Sequence, residues 1–271
     1  MKGFLESVMS LARGRKVGLA TWLVVSYGGL SLVLAIAMAL VIDHGASRYV
    51  KTDVAKEVAA LAAEMREQLD RGIFERLRDI QIVASNDSMR DPNVSVDTKR
   101  AALAKLQAAN SDYAIITLVN AEGKILATSN EMLEGLDVST REYFIDGRTA
   151  PFVGDVHDAI ALAKLLPNQN GEVPRLVDVA APITQPDGSF GGVVVAHMYW
   201  RWADRLKRSV LRSHGESLKT EVLIVSKDGI VLLGPPLLQG HRLKLESIRQ
   251  ADAGKTGSVM ERWPDGNTYL T

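Results

Sequence analysis

The sequence predicts an α+β protein: an N-terminal transmembrane helix, a long helix following it, and two tandem modules built on antiparallel hairpins. Three observations carry that prediction. Lys16 and Asp43 bracket a stretch with no charged side chain, and beyond it apolar residues recur at helical period as far as about Ser85. From Tyr113 onward the period falls to two, with glycine turns between the runs. Composition sets the outer bounds. With 46% hydrophobic and 24% charged residues in 271, the chain is globular rather than disordered. Its 32 basic and 32 acidic residues leave no excess charge for a nucleic-acid backbone. The absence of Cys excludes disulfides, thiol chemistry and cysteine-ligated zinc.

Val17–Ile42 is the candidate anchor. As a helix these 26 residues span about 39 Å, enough for a hydrocarbon layer of about 30 Å. Ala37-Met38-Ala39 resembles a signal-peptidase site, but a signal h-region runs to only about 7–15 residues, so the helix reads as retained. Residues 1–16 carry a net charge of +3 and residues 43–271 a net −3. The positive-inside rule therefore expects a cytoplasmic N-terminus and an exported remainder.

Val50, Val54, Val58, Leu61, Met65, Leu69, Ile73, Leu77 and Ile80 recur every 3.75 residues on average, so Asp43 to about Ser85 reads as one helix continuous with the anchor. Gly72 is its soft spot, and Asp91-Pro92 ends the region. The stripe can pack on its own domain, pair with a second copy, or do both. A helix from an Asp97 N-cap to an Asn110 C-cap follows. Tyr113–Asn120 and Lys124–Ser129 are strands joined by Ala121-Glu122-Gly123. Ser139-Thr140-Arg141-Glu142 reads as a capping box opening a short helix with Tyr143 and Phe144. Phe152–Val156 is a candidate strand. Arg175–Thr184 and Ser189–Tyr199 form a hairpin whose nearly unbroken apolar runs imply a sheet covered on both faces. Trp200 to about Ser213 is a helix, with Trp202 in the core and Trp200, facing another way, at a domain seam.

A weak internal repeat joins the two halves. Leu118–Leu126 lines up with Ile224–Leu232, sharing Val, Gly and Leu, and Pro264-Asp265-Gly266 echoes Pro186-Asp187-Gly188. The chain stops one short run after that second turn, so the sequence reads as part of something longer, with its last strand unfinished.

For chemistry, the five histidines show no metal-binding motif. Asp155, His157 and Asp158 are the one tight cluster of ligand types, with Asp155 and His157 on one face if they share a strand. A solvated loop explains them more simply. There is no phosphate loop, nucleophile elbow or pair of catalytic carboxylates.

An uncleaved anchor, a long exported helix and two PAS-like modules resemble the double Cache sensor domain of bacterial receptors. The residues that carry the likeness are Leu176–Val195 with Ala181-Pro182-Ile183, Trp200 to Val210, Asp228-Gly229 to Gly234-Pro235, and Trp263-Pro264-Asp265-Gly266. The resemblance spans about residues 17–271. It implies a cytoplasmic N-terminus (1–16), a transmembrane helix (17–42), a long exported helix (43–85), a membrane-distal Cache module (86–212) and an incomplete membrane-proximal one (213–271). The module boundary falls near Arg208–Ser217. It further implies a location in the bacterial inner membrane with residues 43–271 periplasmic or extracellular, and a homodimer. A second transmembrane helix and a histidine kinase or diguanylate cyclase output domain would lie beyond Thr271. Other readings are a membrane-anchored periplasmic hydrolase and an anchored scaffold protein.

In amino-acid-binding members of that family the helix after the first hairpin carries arginine, any residue, tryptophan, tyrosine. Here Arg141-Glu142-Tyr143-Phe144 keeps the arginine and changes the aromatics. Of a tyrosine two residues before an acid, Val153-Gly154-Asp155 keeps only the acid, and the family's second acid falls on His197. The implied ligand contacts are Arg141, Tyr143, Asp155, His197 and Tyr113, with no metal or cofactor. With one carboxylate lost and an imidazole gained, the expected ligand is a small organic anion such as a carboxylate rather than a free α-amino acid.

Overall fold

The computed structural model describes residues 18–159, 162, 166, 174–213 and 220–271; the expected cytoplasmic residues 1–16, and 214–219 within the expected module boundary, lie outside them. The chain divides into two units, residues 1–57 and 58–271.

Helix α1 (Leu19–Ser85) supplies the described part of the first unit and the start of the second; it begins one residue past Gly18 and continues past Asp43. Leu19–Leu40 has a mean hydropathy of 2.2 over a length able to cross a bilayer, and none of that stretch is buried by protein.

The second unit is a six-stranded antiparallel sheet between two layers. Its path is β2 (Ile125–Thr128), β1 (Tyr113–Val119), β6 (Phe190–Tyr199), β5 (Arg175–Thr184), β3 (Phe152–Val153), with β4 (His157–Asp158) also pairing β5. Strands β5 and β6 hold the centre, and Val193, Val194 and Val195 are fully buried, each worth about 1.5–3 kcal/mol against exposure. Alternation decides which layer each residue meets. Val177, Val179 and Ala181 of β5, with Val194, Ala196 and Met198 of β6, face a core that includes Leu61, Met65 and Ile80 of α1 and Leu103 of α3 (Val96–Ala109). Leu61 is only 5% exposed there, so this half of the apolar stripe packs on its own domain. On the opposite face Ala180, Val193 and Val195 meet Tyr143 and Phe144 of α4 (Glu142–Ile145).

Gly72 is a notch rather than a soft spot. A Cβ there would lie 2.8 Å from the Trp202 ring, so the missing side chain lets α1 meet α5 (Arg201–Ser213). Asp112 ties the same two helices, accepting from Arg76 at 3.3 Å and from Arg205. Trp200 and Trp202 do not point apart: the rings meet edge to face at 6.1 Å. Trp200 Nε1 and Arg175 Nη1 both donate to the carbonyl of Leu232, joining the sheet to β8 (Val231–Leu233).

Residues 220–271 add two hairpins, β7 (Ile224–Val225) with β8 and β9 (Met260–Arg262) with β10 (Thr268–Leu270), around α6 (Glu246–Asp252). At the end of the chain Leu270 lies opposite Met260, and Thr271 and Val259 exchange two backbone bonds.

Two cap assignments change. Ser95, not Asp97, caps α3, accepting from the Thr98 N–H at 3.2 Å. The capping box at Ser139 does not form. The Ser139 backbone N–H donates to Asp137 instead, its Cβ sits where a side chain on Gly123 would go, and the helix starts after Arg141.

Candidate functional site

The sheet face opposite the long helix carries a chain of polar groups in an apolar setting. Asp178 on β5 and His197 on β6 are direct cross-strand partners, 6% and 7% exposed. Burying them is tolerable only because they satisfy each other. His197 Nδ1 lies 2.6 Å from Asp178 Oδ1, and His157 Nε2 lies 3.0 Å from Asp178 Oδ2, so both carboxylate oxygens are occupied by imidazoles. His157 Nδ1 faces the Asp158 carbonyl at 3.1 Å. Burial pushes the Asp178 carboxyl upward, but the charge and hydrogen bonds of His197 and His157 outweigh it and hold the group well below the usual carboxylate range. The hydrogen bond to Asp178 raises His157, against burial.

The floor is aromatic. The Tyr143 ring meets His197 edge to face at 5.2 Å. Burial, reinforced by the Asp178 charge, pushes the Tyr143 hydroxyl up to about 12, so it stays a neutral donor. Arg141 stands at the N-cap of α4, exposed, with no ion pair or side-chain hydrogen bond to a described residue. Its field reaches both Tyr143 and His157, opposing the rise in each. The site thus offers one unpaired guanidinium, a phenol, two imidazoles and a carboxylate already spent.

Of the five residues implied from sequence, the structure brings Arg141, Tyr143 and His197 together. Asp155 is exposed, accepting from the N–H of Val156, and the strand expected over Phe152–Val156 breaks there into β3 and β4, so Asp155 and His157 share no strand face. Tyr113 lies on the other side of the sheet, its hydroxyl donating to Asp79 of α1 at 3.2 Å. Sequence reasoning missed Asp178 altogether and weighed His157 only beside Asp155, as a metal ligand or as part of a hydrolase site. The signal was present: Asp178 is the one charged residue between Leu176 and Thr184. Among the described residues no group of His, Asp and Glu is arranged to hold a metal.

No family model and no curated protein matches this chain in sequence. Solved structures do match in fold. The chain is similar to an extracellular ligand-binding receptor from Desulfohalobium retbaense at 16% identity and a TM-score of 0.52, covering 79% of this chain but only 35% of that one. It is similar to the ligand-binding domain of the Pseudomonas aeruginosa amino-acid chemoreceptor PctC, solved with GABA, at 16% identity and a TM-score of 0.54, covering 78% and 86%. The extracellular domain of a putative histidine kinase matches at 15% identity and a TM-score of 0.57, covering 82% and 90%. The fold is that of the extracellular sensor domains of bacterial receptors.

Proposed function

We propose that this chain is the extracytoplasmic input region of a transmembrane receptor, N-terminus in the cytoplasm, and that the face carrying Arg141, Tyr143, His157 and His197 binds a small organic anion. One observation carries the ligand class. An ammonium group needs acceptors, and the buried carboxylate of this site already has an imidazole on each oxygen. What remains free is a donor set, led by a guanidinium able to hold a carboxylate through two hydrogen bonds. In the bilayer two copies would pair through the long helix. Because Leu61, Met65 and Ile80 are buried in their own core, the pairing face is the one carrying exposed Phe74 and Ile82.

Calorimetry and thermal shifts on the full chain in nanodiscs test the ligand, with acetate, pyruvate, succinate and citrate set against α-amino acids and GABA. We expect a carboxylate to bind and Arg141→Ala, at an exposed position, to weaken it by about 30-fold or more while leaving the fold intact, as for a lost charge pair worth about 2 kcal/mol. Tight binding of amino acids, or carboxylate binding indifferent to Arg141, overturns the reading.

A further inference from the structure

The segment from Phe152 to Ala159 is fastened to β5 at both ends and open in the middle. Phe152 and Val153 pair Ala180 and Val179, and the Gly154 N–H donates to the Asp178 carbonyl at 2.8 Å. At the other end His157 and Asp158 pair Leu176 and Arg175, and the Ala159 N–H donates to the Pro174 carbonyl at 2.9 Å. Between them Asp155 and Val156 pair with nothing in the ladder. A side chain closes that gap: His157 reaches Asp178 with Nε2 while Nδ1 faces the Asp158 carbonyl.

Both of those partners are acceptors. A neutral imidazole carries one N–H and one bare lone pair, so one of the two approaches would set lone pair against lone pair. Only the imidazolium donates to both. The groups that bear on its charge are few. Asp178 on β5 faces it, with His197 of β6 on the far oxygen. Arg141 and Tyr143 come from the start of α4. Arg175 of β5 is drawn toward the Asp158 carboxylate, 3.5 Å away. The carboxylate of Asp178 is thus the counter-ion that holds a proton on His157 against Arg141.

We propose that His157 and Asp178 form a proton-binding latch: a proton on His157 fastens the segment Phe152–Ala159 to the central sheet, and its loss releases the middle of that segment. The hydrogen bond from His157 to Asp178, which raises His157 against burial, supports it. Resting on the anion-binding reading, the consequence is that the proton is a co-ligand. The same imidazolium adds positive charge beside Arg141, and the receptor holds its anion more tightly in acid than in alkali.

The latch is tested on the full chain in nanodiscs with no ligand added. Amide exchange of peptides covering residues 152–159 is followed from about pH 5 to 9, corrected for intrinsic exchange, beside the histidine ring resonances. We expect protection of the segment to fall about tenfold as His157 titrates, the equivalent of one charge-assisted hydrogen bond. His157→Gln, whose amide donates to Asp178 but does not titrate, abolishes the step and keeps the fold. Asp178→Asn moves the His157 titration to lower pH. Protection that ignores pH, or a step surviving in His157→Gln, overturns the latch. Because no anion is present, a negative result here leaves the anion reading standing. A failed anion screen leaves this measurement intact.

Discussion

The hairpin of β1 and β2 and the hairpin of β7 and β8 share one backbone and differ in what surrounds it. Asn120 N–H bonds the Lys124 carbonyl at 2.9 Å, as Ser226 bonds Ile230 at 2.8 Å. Gly123 closes on Asn120, and Gly229 on Ser226, at φ of 84° and 79°. The strap that follows repeats as well. Leu136 and His241 accept from Ile125 and Val231, and Val138 and Leu243 donate to the two turn glycines. Even the side-chain bond recurs, from Lys124 N–H to Asn120 Oδ1 and from Ile230 N–H to Ser226 Oγ. Each strap then leads to a helix whose N-cap makes no side-chain hydrogen bond, Arg141 in the first and Leu245 in the second. A backbone scaffold can therefore be copied without its chemistry. Only the first copy carries a cation at that position, and only the first sits in a wide sheet with an aspartate and a histidine facing each other across two strands.

The sharpest way to break this comparison is to neutralise one buried acid in each region. Asp178 is satisfied on both oxygens, whereas Glu261 of β9, 8% exposed, accepts from the Ser247 N–H through one oxygen and has no partner on the other. Removing one member of a buried ion pair costs about 3–5 kcal/mol. Asp178→Asn is expected to fall in that range in urea unfolding of the full chain in detergent. Glu261→Gln removes a buried charge held by a single hydrogen bond and should shift stability by less than about 1 kcal/mol in either direction. Equal losses would mean that the first region owes nothing special to its imidazole–carboxylate chain.

A smaller effect separates the two turns. Both glycines hold a left-handed conformation, which costs a side chain about 1–2 kcal/mol. The surroundings add a difference: a Cβ on Gly123 would lie 2.5 Å from the Ser139 Cβ and 2.6 Å from its Cα, whereas on Gly229 the nearest atom is the Leu243 carbonyl at 2.9 Å. Gly123→Ala should therefore destabilise more than Gly229→Ala, by about 1 kcal/mol or more in thermal unfolding. The opposite order would show that the strap, not the turn, sets the scaffold.

These positions also show what was legible in the sequence. Strand β5 was readable almost to the residue because a long apolar run bounded by a Pro-Asp-Gly turn admits few other foldings, and helix α5 because Trp202, Leu206 and Val210 recur at helical spacing. The repeat was readable from its turn glycines. Tyr113 was not. Counting in twos from Ile115, opposite His197, puts Tyr113 on the site face, but the ladder shifts between those residues and sets Tyr113 opposite Met198, toward the long helix. A one-residue irregularity inverts the face and leaves no trace in composition. Asp155 parts from the site for a related reason, since the strand it was assigned to is interrupted between Val153 and His157. Ser139 had the right residue type for a cap, and a close approach to Gly123 claimed it instead.

The smallest expected effect is the pH dependence of stability, and it belongs to the first region alone. Asp178 is depressed in the folded protein, so its contribution is fully present above the ordinary aspartate value of about 3.9 and is lost as pH falls through the folded one. His157 is raised, so its contribution is fully present below the ordinary imidazole value of about 6.5 and is lost as pH rises through the folded one. Both are complete only between those limits, and stability should decline on the alkaline side as His157 gives up its proton. The decline is modest, because about half of the His157 side chain is open to solvent, where water screens the charge. His157→Gln should flatten the alkaline limb of the melting-temperature profile and leave the acid limb in place, since Asp178 keeps His197. Substituting His241 by Gln is the control: it lies in the second strap, its Nδ1 faces the Gln239 carbonyl at 3.2 Å, and among the described residues it forms no ion pair with a carboxylate. If His241→Gln flattens the profile as much as His157→Gln does, the pH response comes from histidine content rather than from the carboxylate between two strands.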